Sequence, residues 1–414
     1  MSINEFIYPW NKFDFAGNST HKLFDRKVAH VDLNDETLRD GLQSPSVKTP
    51  CIEDKIKILH YMNDLGITVA NIGLPMAGER VKSDVFRLAE EAARCRMSLK
   101  LVSGGRTLKE DFVPIVELSQ KVGLPLEGHA FIGSSMIRRF TEDWNFEQML
   151  EKTEACIRFG TENGLEMMFV TEDTTRAHPR FLKELFRVAI NAGARRLCLC
   201  DTVGYATPDG VINLIEFTRK TIWDSGVDVK IDWHGHNDRG LGVTNALVAA
   251  VDGGVDRIHG TCLGIGERSG NASMDQILIN LFLLDMYQGE KLKLLNEYCH
   301  FVSRTYEMPI PRNYPAIGAD AFRTATGVHA AAIIKAQKKD QSHWLADYVY
   351  SSVPAEKLGG EQIIEIGPAS GKSNVIYWLK KRGYEPDSDR VNRVFEFAKQ
   401  ADHILTESEI LNLI

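Results

Sequence analysis

Eight short apolar or β-branched runs, each followed by a stretch of helical spacing, recur between residues 28 and 287 of this chain. They fall near residues 28–34, 68–73, 99–103, 128–132, 166–171, 196–200, 230–234 and 256–262, and a last helical pattern lies near 275–283. Apolar runs separated by helices predict buried parallel strands joined by crossovers. Eight such units fit a (β/α)8 TIM barrel, but an open doubly wound sheet would show the same alternation, so periodicity leaves both folds open.

The polar residues separate the two. In a barrel the chemistry gathers at the C-terminal ends of the strands. Those ends carry Thr37-Leu38-Arg39-Asp40-Gly41, His129, Glu172-Asp173, Asp201-Thr202 and His234-Gly235-His236, with Glu267-Arg268 and Asn271 beyond the eighth run. Ionisable and metal-binding side chains at so many strand ends favour the barrel over residues 28–287. Residues 1–27 are then an N-terminal arm, and 288–345 and 346–414 are two small, mainly helical C-terminal subdomains.

His234 and His236 are two apart on a strand and so share a face, which lets both imidazoles reach one divalent metal. The other bounds are ordinary. A net charge of −7 gives no basic footprint for nucleic acid or an anionic membrane. No run approaches the ~18 apolar residues of a membrane span, and residues 1–27 lack a basic start followed by an apolar core. A cytoplasmic protein is expected. The seven cysteines contain no CxxC pair and are too scattered for a disulfide framework; Cys198 and Cys200 share a strand face, where packing is the expected role.

Four ordered segments carry a resemblance: Glu36-Thr37-Leu38-Arg39-Asp40-Gly41-Leu42-Gln43, Asp201-Thr202-Val203-Gly204-Tyr205, His234-Gly235-His236-Asn237-Asp238, and Gly264-Ile265-Gly266-Glu267-Arg268-Ser269-Gly270-Asn271. Together they resemble the signatures of the DRE-TIM metallolyase superfamily, and within it the 2-isopropylmalate, homocitrate and citramalate synthases. The resemblance implies a divalent cation (Zn, Mn or Mg) held by Asp40, His234, His236 and, more loosely, Asn271. A carboxylate, two imidazoles and an amide oxygen make a mixed N/O site suited to such ions. It also implies acetyl-CoA as co-substrate and a 2-oxo acid as acceptor, joined by a Claisen condensation that releases CoA. Branched 2-oxoisovalerate, the acceptor for leucine biosynthesis, is the lead.

The resemblance further assigns Arg39 to the oxygen that becomes negative, Glu172 to the active site, and Thr202, with Gln43 and His129, to the bound oxo acid. Past the barrel, Phe322-Arg323-Thr324-Ala325-Thr326-Gly327-Val328-His329 resembles a synthase segment whose histidine reaches the partner subunit's site. His329 is thus the expected proton-transfer group for the acetyl-CoA methyl, assisted by Tyr350, and a homodimer is expected, with Phe6-Ile7-Tyr8-Pro9-Trp10 adding contact area. The chain ends at Ile414 without the domain that binds leucine in regulated synthases, so that control is not expected.

Three departures bear on the oxo-acid pocket. Leu42 stands where synthases usually have Glu and resembles the hydroxymethylglutaryl-CoA lyase branch. Val170 replaces a small polar residue, and Ala330-Ala331-Ala332 a more polar run. Other readings are therefore a homocitrate, citramalate or specialised alkylmalate synthase, a carbon–carbon lyase acting on an acyl-CoA, and a non-catalytic binding protein that kept the fold.

Overall fold

The computed structural model describes residues 30–339 and 344–414. Eight parallel strands close into a barrel in sequence order: β1 (Asp32–Asp35), β2 (Val69–Asn71), β3 (Lys100–Arg106), β4 (Glu127–Gly133), β5 (Glu166–Glu172), β6 (Arg196–Asp201), β7 (Lys230–Gly235) and β8 (Arg257–Gly260). β8 pairs back onto β1, with Asp32 opposite Arg257 and Asp35 opposite Gly260, so the open doubly wound sheet is excluded. Each strand falls within or across one of the eight expected runs. The proposed arm, including Phe6-Ile7-Tyr8-Pro9-Trp10, lies outside the described residues, as do the first two residues of run 28–34.

Local chemistry fixes the helices between strands. Pro208–Ser225 begins with proline, whose missing N–H costs nothing in a first turn; the Thr207 hydroxyl caps it, and it ends at Gly226 in the left-handed region at φ 68°. Phe146–Glu162 starts where the Asn145 side chain accepts from the N–H groups of Glu147 and Gln148. The helices bury one face against the strands. Leu182, Leu185, Phe186, Ala189 and Ile190 of Pro179–Ala192 are almost wholly inaccessible, and this layer of apolar side chains is the main hydrophobic core.

This first compact unit runs through Gln288 and includes Phe301–Met308. A second holds Gly289–His300 and Pro309–Ile414. The second is mainly helical, with a short parallel pair joining Arg323–Thr324 to Ile363–Ile364. It has two small cores, one around Ala330, Ile333 and Ile364 and the other around Ile366, Val375, Trp378, Leu379 and Val394.

Candidate metal centre and active site

The C-terminal end of the barrel opens into a cavity of about 230 Å³. Arg39, Asp40, Gln43, His129, Glu172, Thr202, His234 and His236, eight of the side chains singled out in the sequence, line it together. They converge because β1, β5, β6 and β7 end, or run into their loops, at the same level of the barrel, and because alternate residues of a strand point inward.

The two histidines and Asp40 form the tightest group. The Nε2 atoms of His234 and His236 are 3.3 Å apart, and Asp40 Oδ2 lies 3.5 Å from the first and 3.6 Å from the second. Ligands bound at about 2.0–2.2 Å from one ion sit roughly 3.0–3.5 Å from each other, so the spacing fits a common cation. All three residues are buried. Burial, then the neighbouring His234, pushes His236 down to about 4, so its ring stands neutral as a ligand requires. Burial alone would raise Asp40, but Arg39, His234 and His236 outweigh it and hold the carboxyl below its ordinary range.

Asn271 joins this group through its amide nitrogen, which donates to Asp40 Oδ2 at 2.7 Å. Its Oδ1 is buried with no hydrogen-bond partner among the described residues, an orphaned acceptor beside the proposed ligands. The glycine-rich segment is what admits it. A Cβ on Gly266 would fall 1.9 Å from Asn271 Oδ1, and one on Gly270, itself at φ 83°, 1.9 Å from the Gly264 carbonyl oxygen.

Arg39 touches both sides of the group. Its guanidinium lies 2.7 Å from Glu36 Oε1 and 3.6 Å from Asp40 Oδ2. Burial opposes that charge, but Glu36 and Asp40 hold the guanidinium more firmly protonated than usual. Glu172, last residue of β5, is pushed above the ordinary carboxylate range by burial, with Arg138 and Arg39 opposing. It can therefore hold or release a proton nearer neutrality than a surface carboxyl. The Thr202 hydroxyl accepts the Asp173 N–H at 2.7 Å, so this side chain also fixes the β5 loop.

His129 differs from its expected place. β4 continues to Gly133, and the histidine sits four residues before that end, deeper in the barrel, with Nε2 2.8 Å from Glu127 Oε1. Cys198 and Cys200 pack with Met168 and Val170 as expected, and both also line the cavity. His329 and Tyr350 belong to the second unit, where their rings stack with centroids 4.0 Å apart and an interplanar angle of 26°.

The sequence reading missed a set of buried charges beneath the ligands. Glu36 Oε2 is 2.7 Å from His234 Nδ1, and Asn71 Nδ2 donates to Glu36 Oε1 at 3.1 Å. His259 places Nδ1 3.5 Å from Glu36 Oε1 and Nε2 2.9 Å from Asp232 Oδ2. Arg257 then spans Asp232 and Glu127, and Glu127 holds His129. Glu36, His234 and His259 could themselves hold an ion by spacing alone, but the Arg39 cation on Glu36 makes this an orienting cluster instead. A detectable signal was the i, i+2 parity of Glu127-x-His129, Asp232-x-His234 and Arg257-x-His259, which puts each charged residue on the inward face.

The HMGL-like family profile matches residues 30–302. A probable 2-isopropylmalate synthase of Archaeoglobus fulgidus is 30% identical over 89% of this chain and 69% of its own length. A homocitrate synthase of Methanopyrus kandleri is 30% identical over 90% of this chain and 89% of its own, and an (R)-citramalate synthase of Methanocaldococcus jannaschii 29% identical over 93% and 74%. Among solved structures, the Bacillus subtilis HMG-CoA lyase superposes with a TM-score of 0.57 at 19% identity, covering 69% of this chain and 96% of that one. With a matched segment that spans the whole barrel and every proposed ligand, the chain belongs to the HMGL-like, or DRE-TIM, family.

Proposed function

We propose that this chain condenses acetyl-CoA with a 2-oxo acid, releasing CoA and a 2-alkylmalate-type acid, at a divalent cation held by Asp40, His234, His236 and Asn271. One observation carries the reading: those residues meet at 2.7–3.6 Å beside Arg39 in the barrel mouth. The names of relatives near 30% identity, which include 2-isopropylmalate, citramalate and homocitrate synthases, support the reaction class.

A bound cation would supply Lewis-acid polarisation of the acceptor ketone. The protein does the rest. Arg39 faces the oxygen that gains charge, and its two carboxylate partners keep the guanidinium fixed before reaction. Glu172, with its raised affinity for a proton, serves the methyl deprotonation directly or through a water, and His329 with Tyr350 is assigned to the same transfer. Thr202, Gln43 and His129 bound the space for the oxo acid.

Leu74, Phe131, Met168 and Val170 line the same cavity and favour an apolar acceptor side chain, which supports 2-oxoisovalerate over 2-oxoglutarate. The homodimer, with His329 serving the partner subunit, and a cytoplasmic location belong to the same reading; no helix among the described residues is long and apolar enough to cross a membrane.

The test is a free-thiol assay on metal-loaded protein with acetyl-CoA and a panel of 2-oxo acids, together with elemental analysis. Oxo-acid-dependent CoA release, fastest with 2-oxoisovalerate, is expected. Acetyl-CoA production from a 3-hydroxy-3-methylacyl-CoA, with no CoA release from the panel, would replace the synthase by a lyase.

A further inference from the structure

The floor of the cavity holds a pair of thiols for which the condensation has no use. Cys198 and Cys200 occupy alternate positions of β6, so both side chains turn into the barrel, and they pack with Met168 and Val170 of β5. Their sulfurs are 3.8 Å apart. That is far beyond the roughly 2.05 Å of a disulfide, and both are free thiols. Both are buried within the protein yet line the cavity, so a small molecule entering the mouth reaches them together.

The surroundings select what could bind. Burial, then the neighbouring Cys200, pushes the Cys198 thiol well above its ordinary value, so Cys198 stands as the thiol. An ion that needs two bare thiolates would have to strip the proton from the buried Cys198, with the carboxylates of Asp232 and Glu36 opposing a second negative charge, which is costly. A trivalent arsenic centre avoids that cost. Each sulfur exchanges its hydrogen for a bond to arsenic and water leaves: two R–SH and As(OH)3 give (RS)2As–OH and two H2O. Arsenic stays trivalent and no electron is transferred.

We propose that Cys198 and Cys200 form a chelating dithiol site for trivalent arsenic compounds in the floor of the barrel cavity. The inference does not depend on which reaction the cavity performs. Its adduct would occupy the space beside Met168 and Val170 and close the cavity to other small molecules.

The test uses the full-length protein in thiol-free buffer, titrated with phenylarsine oxide and with arsenite, and read by intact mass and by the count of thiols still reactive after denaturation. The wild type should take up one arsenic per chain at this pair and lose two titratable thiols. Cys198→Ser and Cys200→Ser should each bind phenylarsine oxide at least ~100-fold more weakly, because the second bond is no longer intramolecular. Cys51→Ser and Cys95→Ser, at exposed thiols on separate elements, should match the wild type. Where a buried serine disturbs folding, seen by circular dichroism, Cys198→Ala and Cys200→Ala give the same readout. Wild-type affinity in the Cys198 and Cys200 variants, or loss of binding in the Cys51 or Cys95 variants, would overturn the proposal.

Discussion

Glu36 Oε2 lies 2.7 Å from His234 Nδ1, on the side of the ring opposite the nitrogen that faces Asp40 and His236. The contact fixes which nitrogen of His234 is free to bind an ion and how the ring is turned. Such partners of ligating histidines commonly change metal affinity by ~10–100-fold when removed. Glu36→Gln keeps the shape and the Asn71 hydrogen bond but loses the charge. Its metal dissociation constant, measured by calorimetry, should rise by about that factor, with circular dichroism showing that the variant is still folded although Arg39 has lost a buried partner. Unchanged affinity would reduce Glu36 to a partner of Arg39.

Arg39 is held by two carboxylates, Glu36 at 2.7 Å and Asp40 at 3.6 Å. Lysine in its place keeps one positive charge but cannot span both. Arg39→Lys should lower kcat by ~100-fold or more with metal content unchanged, the scale seen when one donor to a developing oxyanion is lost. Near-normal kcat would assign Arg39 to structure alone.

The sign of a pH effect follows from Glu172. Burial raises its pKa, and the nearby Arg138 cation opposes the rise. As the proposed base it must be deprotonated, so activity should fall as the pH drops through that raised value. Arg138→Leu removes the opposing charge and should move the acidic limb of kcat/KM to higher pH, while Glu172→Gln should remove the limb along with most of the activity. An acidic limb that stays put in Arg138→Leu would assign it to another group.

Arg257 is almost inaccessible and bridges Asp232, at 2.5 Å, to Glu127. Arg257→Met would remove the buried cation that Asp232 and Glu127 share, leaving Arg196 as the nearest guanidinium to both, and removing one partner of a buried ion pair costs about 3–5 kcal/mol. A drop of that size in denaturant unfolding is expected. The pH dependence has a definite sign. Asp232, despite burial, is held down at about 2 by Arg257 and Arg196, so its stabilisation is complete above the ordinary carboxylate range and is lost as pH falls through about 2. The wild type should therefore lose stability steeply in acid, and the variant less so.

Assembly is tested by mixing. Inactive His329→Ala and Asp40→Ala chains, allowed to exchange subunits, should regain activity if His329 serves the partner's barrel, since one complete site is rebuilt in each mixed dimer. No recovery despite verified exchange would return His329 to its own chain or remove it from catalysis.

Most of the barrel could be read from particular residues. β7 ends with His234-Gly235 and β5 ends at Glu172, as apolar runs that stop at ionisable groups predict. The pairing of β8 with β1 could not be read from alternation, which is local while closure is a long-range property; only the ionisable residues gathered at the strand ends pointed to it. Nor was the depth of His129, whose position depends on how far β4 continues. The charges under the site were hidden for another reason. Asp232, Glu127 and Arg257 resemble surface residues at the start of their strands, and only their mutual pairing across the barrel makes burial tolerable. Glu36 stood in a motif already in view, but nothing in one strand says that its carboxylate meets a histidine from β7.

The tight contact between Gly266 and Asn271 divides the cavity wall into parts that can and cannot be redesigned. Any side chain at Gly266 would collide with the Asn271 amide, so a library aimed at new acceptors gains nothing from varying that turn. Leu74, Phe131 and Val170 face the same space from three different strands or their loops and make no charged contact with the proposed ligands. Diversity introduced there can reshape the acceptor space one methylene at a time, with steps of about 1–3 kcal/mol in discrimination, while the loop that carries Asn271 is left as it is.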